Sequence, residues 1–459
     1  PPAAALAEAA ELGRAGQRSA IRRRAARQSG LCAEVLGLLA LLAREAPAQT
    51  LATAAGAEPR AVLGALSALT DARLVRLGER GWATAHDLVA ETVTATLAVG
   101  ERGRLHGLLA RAVEAEDADP SETARHHRAA GDVGAAARAY LRAAERALAG
   151  HATAEAAALA SAGLALTPDA MAGSAPDPYA AASKPGAAAG LTSTSGPRAC
   201  PSVTSDDQAS GAGPGGMSGA ASARPVPRGG PSAGSRFWSG GPTSASRGGL
   251  GWTALAADLR AARAEARAAH GDRAAADDLR AALTATAPGP VRSRRLARLA
   301  MLTFGAQDVE RASELAELAL VEAGADPAAR AAALETAAVI DMNTDRAARA
   351  RERAEAALAA YRGLGDAAGV ARILDGRAMA TFLDGRIDEG VAVFGRVAQL
   401  FVDSGELLRA ITPRSTRGHG LVFAGEPAGG LAETTAAVRL ARELDTAEGQ
   451  AYALWHRSE

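Results

Sequence analysis

Aromatic residues are scarce in this chain: Phe, Trp and Tyr make up 3% of its 459 residues, although 48% are hydrophobic. Its cores must therefore be packed from Ala, Leu and Val. Small side chains let helices approach toward the lower end of the ~8–10 Å interaxial range, which suits stacked helix pairs better than a sheet sandwich. The composition predicts an all-α protein. Cysteine is nearly absent too. Cys32 and Cys200 stand alone, with no CxxC and no His at ligand spacing. That argues against a disulfide scaffold and against zinc, and fits a reducing cytoplasm. Charge of one sign is not in excess, with 51 Lys and Arg against 51 Asp and Glu, so nothing draws the whole chain to nucleic acid or to an acidic membrane. The most apolar run, Leu31 to Ala43, contains Glu34 and falls short of the roughly 20 residues of a membrane span; it reads as a core helix. The chain starts at Pro1 without a signal peptide, and that start reads as a cut.

Signatures of catalysis and metal binding are missing as well. The literal G-x-G-x-x-G at Gly211, Gly213 and Gly216 has Pro214 inside it and neither a strand before it nor a helix after it. A phosphate-binding loop needs a lysine on the phosphates, and the single lysine, Lys184, lies in a Gly/Ser/Pro-rich tract. His126 and His127 are adjacent, so on a helix they point about 100° apart and cannot form an i, i+4 metal pair. His106, His151, His270, His419 and His456 are scattered and read as surface or packing residues. No nucleophile elbow, paired-acid signature or HExxH occurs. The expectation is a binding protein that is not an enzyme, with no catalytic residue, no metal and no cofactor of its own.

What is present divides into five stretches. Residues 1–30 form a helical lead-in whose arginines, Arg14, Arg18, Arg22, Arg23, Arg24 and Arg27, read as a solvated face. Residues 31–98 contain VLGLLALLAREAP, QTLATAAG and EPRAVLGALSALTDA, three helices with Gly56 ending the second and Pro59 starting the third. LVRL, a turn from Gly78 to Gly81, and WATA then form two short strands, which completes a winged-helix module. Its third helix offers one cation, Arg60, and beside it Gly64, Ser67, Ala68 and Asp71, too few donors to grip phosphates. DNA binding by this module is therefore not expected.

Residues 99–169 and 251–459 carry helix pairs with the spacing of a tetratricopeptide unit: a Gly turn, a small residue five positions on, a large one at nine and a small one at twelve. Gly131, Ala136, Tyr140 and Ala143 fit, as do Gly271, Ala276, Arg280 and Leu283. So do Gly385, Gly390, Phe394 and Val397, and, 40 positions on, Gly425, Gly430, Thr434 and Ala437. Asp345, Ala350, Ala354 and Ala357 fill the preceding interval, and looser copies surround Ala312, Ala316 and Ala319 and precede Pro168. Small residues let the two helices of a unit touch, and the large one fills the gap toward the next unit. A concave inner surface made by the first helices is the expected binding surface, with Thr381 and Phe382 lining or supporting it. Residues 170–250, rich in Gly, Ser and Pro, cannot bury a core; they read as disordered, or as a shifted reading frame inside the array.

GWATAHDLVAETVTATLAVGERGRLHGLLARAVEA and SETARHHRAAGDVGAAARAYLRAAERALA, together with SAIRRRAARQSGLCAEVLGLLALLAREAP, resemble the large ATP-binding LuxR-type, MalT-like regulators of the STAND class. The resemblance covers residues 11–169 well and the later repeats generically. It implies an NTPase domain leading into a winged helix and a tetratricopeptide-like sensor array, with DNA bound only by a C-terminal helix-turn-helix that this chain lacks. It further implies ATP or ADP as ligands of the full-length relatives, an effector protein or small molecule on the repeats, and cytoplasmic location without membrane contact. Within it, His86 and Asp87 resemble the His-Asp pair that senses nucleotide state, the histidine approaching the ADP phosphate; Asp87 would also cap a helix beginning at Leu88. Two other readings remain open: a free-standing tetratricopeptide scaffold, and the sensor of another STAND protein such as a cyclase or kinase regulator.

Overall fold

The computed structural model describes residues 15–116, 118–168, 250–344 and 346–458. Residues 169–249, which hold nearly all of the stretch read as disordered, and Asp345 lie outside the described residues.

After a helix over residues 15–26 (α1) come α2 (Gly30–Leu42), α3 (Ala48–Ala55) and α4 (Pro59–Asp71), then β1 (Val75–Leu77) and β2 (Trp82–Thr84). The strands pair antiparallel with Val75 opposite Thr84 and Leu77 opposite Trp82. Ala46, just after α2, extends the ribbon by exchanging backbone hydrogen bonds with Trp82 at 2.8 and 2.7 Å. Pro59 at the first turn of α4 gives up an N–H that would have no helical partner there. The fully buried Leu36, Leu38, Leu39, Leu42, Leu51, Leu66, Leu69 and Leu74 form the core, and Leu105 and Leu109 join it from α6 (Val99–Ala115) across α5 (Asp87–Thr96). Arg44 beyond α2 then grips Glu122 of the next helix through both carboxylate oxygens, at 2.7 and 3.0 Å.

From there the chain is helix after helix: α7 (Pro120–Ala130), α8 (Val133–Ala149), α9 (Thr153–Leu164), α10 (Leu250–Ala268), α11 (Ala274–Thr284), α12 (Pro290–Gly305), α13 (Val309–Ala323), α14 (Pro327–Met342), α15 (Ala347–Leu364), α16 (Ala367–Leu383), α17 (Ile387–Asp403), α18 (Leu407–Phe423), α19 (Pro427–Glu443) and α20 (Ala447–Ser458). Leu164 of α9 packs with Leu255 and Leu259 of α10, so helices far apart in sequence are consecutive members of one stack. The protein is an all-α array of stacked helix pairs, an α-solenoid.

A constant turn sets its rhythm. Helices α16, α17, α18 and α19 are each 17 residues long. Gly365, Gly385, Gly405, Gly425 and Asp445 fall 20 residues apart between successive helices, all at positive φ: 66°, 82°, 78°, 83° and 49°. At Gly385 its own N–H bonds to the Phe382 carbonyl at 3.0 Å and the Arg386 N–H reaches the Thr381 carbonyl at 3.2 Å. The same pair of bonds closes the turns at Gly365, Gly405, Gly425 and Asp445. This is the Schellman closure, which satisfies two carbonyls that the helix end leaves free and needs a left-handed residue to do so.

Where α18 crosses α19 the packing uses almost no side chain. A Cβ on Gly430 of α19 would stand 2.5 Å from the Gly418 carbonyl oxygen of α18, and one on Gly418 would stand 2.6 Å from Thr434 Cγ2. The two backbones meet there directly. Along the array Ala350, Ala354, Ala357, Ala371, Ala410, Ala437 and Ala441 are buried. Buried carboxylates tie helices together: Asp278 of α11 accepts from Arg263 and Arg267 of α10, and Asp341 of α14 accepts from Arg349 and Arg353 of α15.

Candidate binding face of the repeat array

The first helices of successive pairs, α10, α12, α14, α16, α18 and α20, lie side by side, α12 against α14 and α18 against α20. Polar side chains bridge them at a nearly fixed sequence offset. Arg295 bonds Asp258, 37 residues earlier, and Arg298 bonds Glu265 at 2.9 Å. Arg372 bonds Glu335 at 2.8 Å, again 37 residues back. Tyr452 and Thr416 share a hydrogen bond of 3.1 Å at an offset of 36, and the Nδ1 atoms of His456 and His419 lie 3.0 Å apart at an offset of 37. One helix of each pair thus contributes a rung to a ladder of polar contacts along this face.

At the α14–α16 rung the groups are deeply held. The Arg372 guanidinium lies 5.3 Å from the Tyr361 ring centre, while the Tyr361 hydroxyl donates to Glu335. Burial, with the charge of Glu335 adding to it, holds the Tyr361 phenol above its usual range. Burial opposes the charge on Arg372, but Glu335 and Tyr361 overcome it and hold the guanidinium protonated. Glu406, at the start of α18, takes a second contact from Arg372 at 3.6 Å and one from Arg409 at 2.9 Å. Pro413, inside α18, has no N–H to offer the carbonyl of Arg409 and so interrupts that helix's ladder on the same stretch.

One carboxylate on this face is unsatisfied. Asp375, three residues beyond Arg372 on α16, makes no hydrogen bond or ion pair with any described residue. Burial pushes its carboxyl up to about 6, against the lowering field of Arg409. Its charge reaches Tyr452 of α20, whose phenol is raised first by burial and is lowered by the bond to Thr416.

Beyond Asp375 the face turns aromatic. Phe423 stacks on His419 with centroids 4.9 Å apart, and Trp455 leans on Tyr452 at 6.0 Å and on His456 at 4.5 Å. In a chain so poor in aromatics, Phe423 is 63% exposed and Trp455 54% exposed. Leu383 at the end of α16 is exposed too, 40 residues before Phe423 in the sequence. His456 is pushed down to about 4 by burial and then by His419, so near neutral pH it is uncharged.

The residues singled out from the sequence take these places. Gly131, Gly385 and Gly425 sit at left-handed turns; Ala136, Ala143 and Phe394 are buried; Tyr140 is half-buried against the α9 backbone at Gly163. Arg280, expected as the large packing residue of its unit, is exposed and pairs with Asp277, because the buried stripe of α11 is Ala275, Asp278, Leu279, Ala282 and Leu283. Phe382 packs edge-on against Phe394 of α17, at 6.3 Å, and tilts against Phe423 of α18, at 6.5 Å, while the Thr381 hydroxyl donates to the Arg377 carbonyl within its own helix. His86 and Asp87 are exposed at the start of α5, and here the expected cap is corrected: the helix begins at Asp87 itself, His86 is the capping position, and neither side chain makes a cap hydrogen bond. Asp87 instead places a negative charge in the first turn, where the helix dipole favours it.

Some histidines far apart in the sequence are paired in space. Besides His419 and His456, His106 of α6 meets His126 of α7 with Nδ1 atoms 2.9 Å apart, and burial followed by Arg125 pushes His126 down to about 3. Among the described residues no group of three His, Cys, Asp or Glu side chains is placed to hold a metal ion. No helix among them is long and apolar enough to cross a membrane.

The polar ladder, Asp375 and the exposed aromatics were missed in the sequence reading, which followed only the turns and small packing residues. An offset of 36–37 joining complementary polar residues, Asp258 to Arg295, Glu335 to Arg372 and Thr416 to Tyr452, was the signal that would have found the ladder.

No protein-family model matches the chain, and no curated protein matches it either. Among solved structures, the chain is similar to a Signal Transduction ATPase with Numerous Domains with a tetratricopeptide repeat sensor from Pyrococcus horikoshii: TM-score 0.56, 10% identity, 95% of this chain and 54% of that one. The chain thus spans about half the length of that protein. Weaker likenesses include aspartyl phosphate phosphatase F of Bacillus subtilis, at TM-score 0.38, 9% identity and coverage of 46% and 56%, and PilF of Pseudomonas aeruginosa, at 0.27, 16%, 43% and 80%. At such identities the likeness to the Pyrococcus protein is one of fold, and the fold is a tetratricopeptide-type array of helix pairs.

Proposed function

We propose that this chain is the regulatory and sensor portion of a STAND-type transcriptional regulator, acting by binding and without catalysis or a cofactor of its own. The observation that carries this reading is the match of 95% of the chain, the N-terminal helices and ribbon together with the repeats, to a STAND protein with a tetratricopeptide sensor. A repeat array alone would not extend to α2–α5 and the β1–β2 ribbon. In this reading those elements are the winged helix that relays nucleotide state from an NTPase domain, the array receives a protein effector on its first-helix face, and the protein works in the cytoplasm. DNA is reached only through another domain.

His86 fits the relay role by its place. It stands exposed before the free N–H groups of α5, at the positive end of the helix dipole, where a phosphate would dock. The coding sequence immediately upstream tests the reading: an in-frame Walker motif supports it, and a start codon at Pro1 with no NTPase gene beside it sinks it in favour of a free-standing scaffold. In the parent protein, His86→Ala is expected to raise basal transcription and weaken ADP retention, and wild-type values for both would remove His86 from the relay. Isothermal titration of this chain with Mg-ATP is expected to give no micromolar binding, for want of a phosphate-binding loop.

A further inference from the structure

The first-helix face neutralises its charges with care: Asp258, Glu265, Glu335 and Glu406 each hold an arginine. Asp375, in the middle of the same face, holds none among the described residues. The position one rung further on, 37 residues along, is Thr412, which is exposed and neutral. Arg409 is within electrostatic reach but beyond ion-pair distance, and it is engaged by Glu406 at 2.9 Å. A half-buried carboxylate without a donor is costly to keep charged, and a cation brought to it from outside recovers that cost. On the far side of the same face, Trp455, leaning on the half-buried Tyr452, and Phe423 offer exposed ring surface of the kind that anchors a partner chain.

We propose that Asp375 is the acceptor for the ammonium or guanidinium group of a basic side chain in an extended segment of a partner protein, whose apolar residues lie on Phe423 and Trp455. The proposal rests on the first-helix face being the binding face. Charge complementarity selects a basic segment over an acidic one, because Arg372 and Arg409 nearby already have carboxylate partners and Asp375, which has none among the described residues, is negative. Helices in contact stand about 8–10 Å apart, so α16 to α20 spans about 20 Å, which an extended chain crosses in about six residues.

The test uses the whole chain and a positional-scanning library of nonapeptides with acetylated and amidated ends, read by fluorescence polarisation. Pools carrying Lys or Arg at one defined position are expected to bind at least tenfold more tightly than pools carrying Glu or norleucine there. Asp375→Asn should abolish that preference and leave binding of the aromatic and aliphatic pools in place. Trp455→Ala should weaken every pool. The preference should also fade from pH 7.5 to 5.5 as Asp375 takes up its proton, and Asp375→Asn should remove that pH dependence. Of the groups around Asp375, namely Glu335, Arg372, Arg409, Glu406 and Tyr452, the Arg372 guanidinium is held protonated and the Tyr452 phenol is raised further by burial, while His456 titrates below this window. A Lys or Arg preference that survives in Asp375→Asn overturns the proposal. Pools that bind without any basic preference overturn it and leave the binding face standing, whereas no binding by any pool removes both.

Discussion

The N-terminal module and the repeat array are both helical, yet they are held together in opposite ways. In the module, leucines brought from α2, α3, α4 and α6 fill one interior, with Leu36, Leu51, Leu66 and Leu105 meeting from well-separated parts of the sequence. In the array, alanines and glycines let backbones touch, and each helix depends on its neighbours alone. The module is stabilised by volume that must be filled; the array buries large side chains too, such as Phe394 and Phe401, but at close crossings such as Gly418 to Gly430 it needs volume that stays empty. A module so built responds as one unit, whereas an array with nearest-neighbour contacts can open locally at one pair, which suits a surface that must receive a partner.

This contrast predicts opposite responses to changes in size. Leu66→Ala in the module removes a fully buried side chain and should cost about 2–5 kcal/mol, read as a lower urea midpoint for the Trp82 fluorescence transition. If hydrogen exchange in α16–α19 rises as much as in α2–α4, the two regions are not distinct. Gly430→Ala in the array tests the other half. In an exposed helix that change is stabilising by about 1 kcal/mol. Here the added methyl meets the Gly418 carbonyl, so a loss of about 1–3 kcal/mol is expected, with local exchange in α18 and α19 accelerated. A gain in stability would end the argument for backbone contact.

The turns offer a smaller effect with a sign. Gly385→Ala places a methyl group in the left-handed region and should cost about 1–2 kcal/mol. Gln307→Gly, Asp445→Gly and His151→Gly relieve the same strain at turns of the same form, and each should raise the melting temperature slightly. Equal losses at all four positions would show that the turn is not the constraint.

The smallest expected effect is a pH slope at the joint between α8 and α10. Burial, reinforced by Asp258, pushes Glu145 up to about 7. A carboxyl whose folded-state value lies above its unfolded one binds its proton more tightly when folded, so its contribution is greatest below the unfolded value near 4.3 and is lost as pH rises to about 7. Glu145→Gln should therefore flatten the decline in stability between pH 5 and 7.5, measured by thermal melts. An unchanged slope would mean that Glu145 is not the group responsible.

Much of the architecture was legible in advance. Scarce aromatics and abundant alanine pointed to close-packed helix pairs, and Gly131, Gly385 and Gly425 marked turns because only glycine adopts their backbone at little cost. The 40-residue interval from Gly385 to Gly425 was visible, but the 20-residue beat beneath it was not. A tetratricopeptide spacing tracks the turn inside each pair, while Gly365 and Gly405 close the turns between pairs. At His151, Gln307 and Asp445 the left-handed turn persists without glycine, since the Schellman hydrogen bonds and the packing of both helices hold it there. Asp87 was misread as a cap because Asp is a common capping residue; the ribbon brings the chain in so that the helix starts one residue sooner, with His86 at the capping position.

The candidate binding face was far less legible. Arg372, Asp375, Thr416, Tyr452 and Trp455 belong to no local motif, and nothing in a helix of alternating small and charged residues says which charges are paired. By itself the sequence determined the class of the fold and the positions of several turns, for these follow from side-chain size and backbone freedom, which are local properties. Only the tertiary structure decided which helices lie side by side, that Gly418 and Gly430 meet, and that Asp375 is left without the arginine its neighbours hold. Those depend on how far each helix rotates as it packs, and that rotation is set by contacts between residues far apart in the chain.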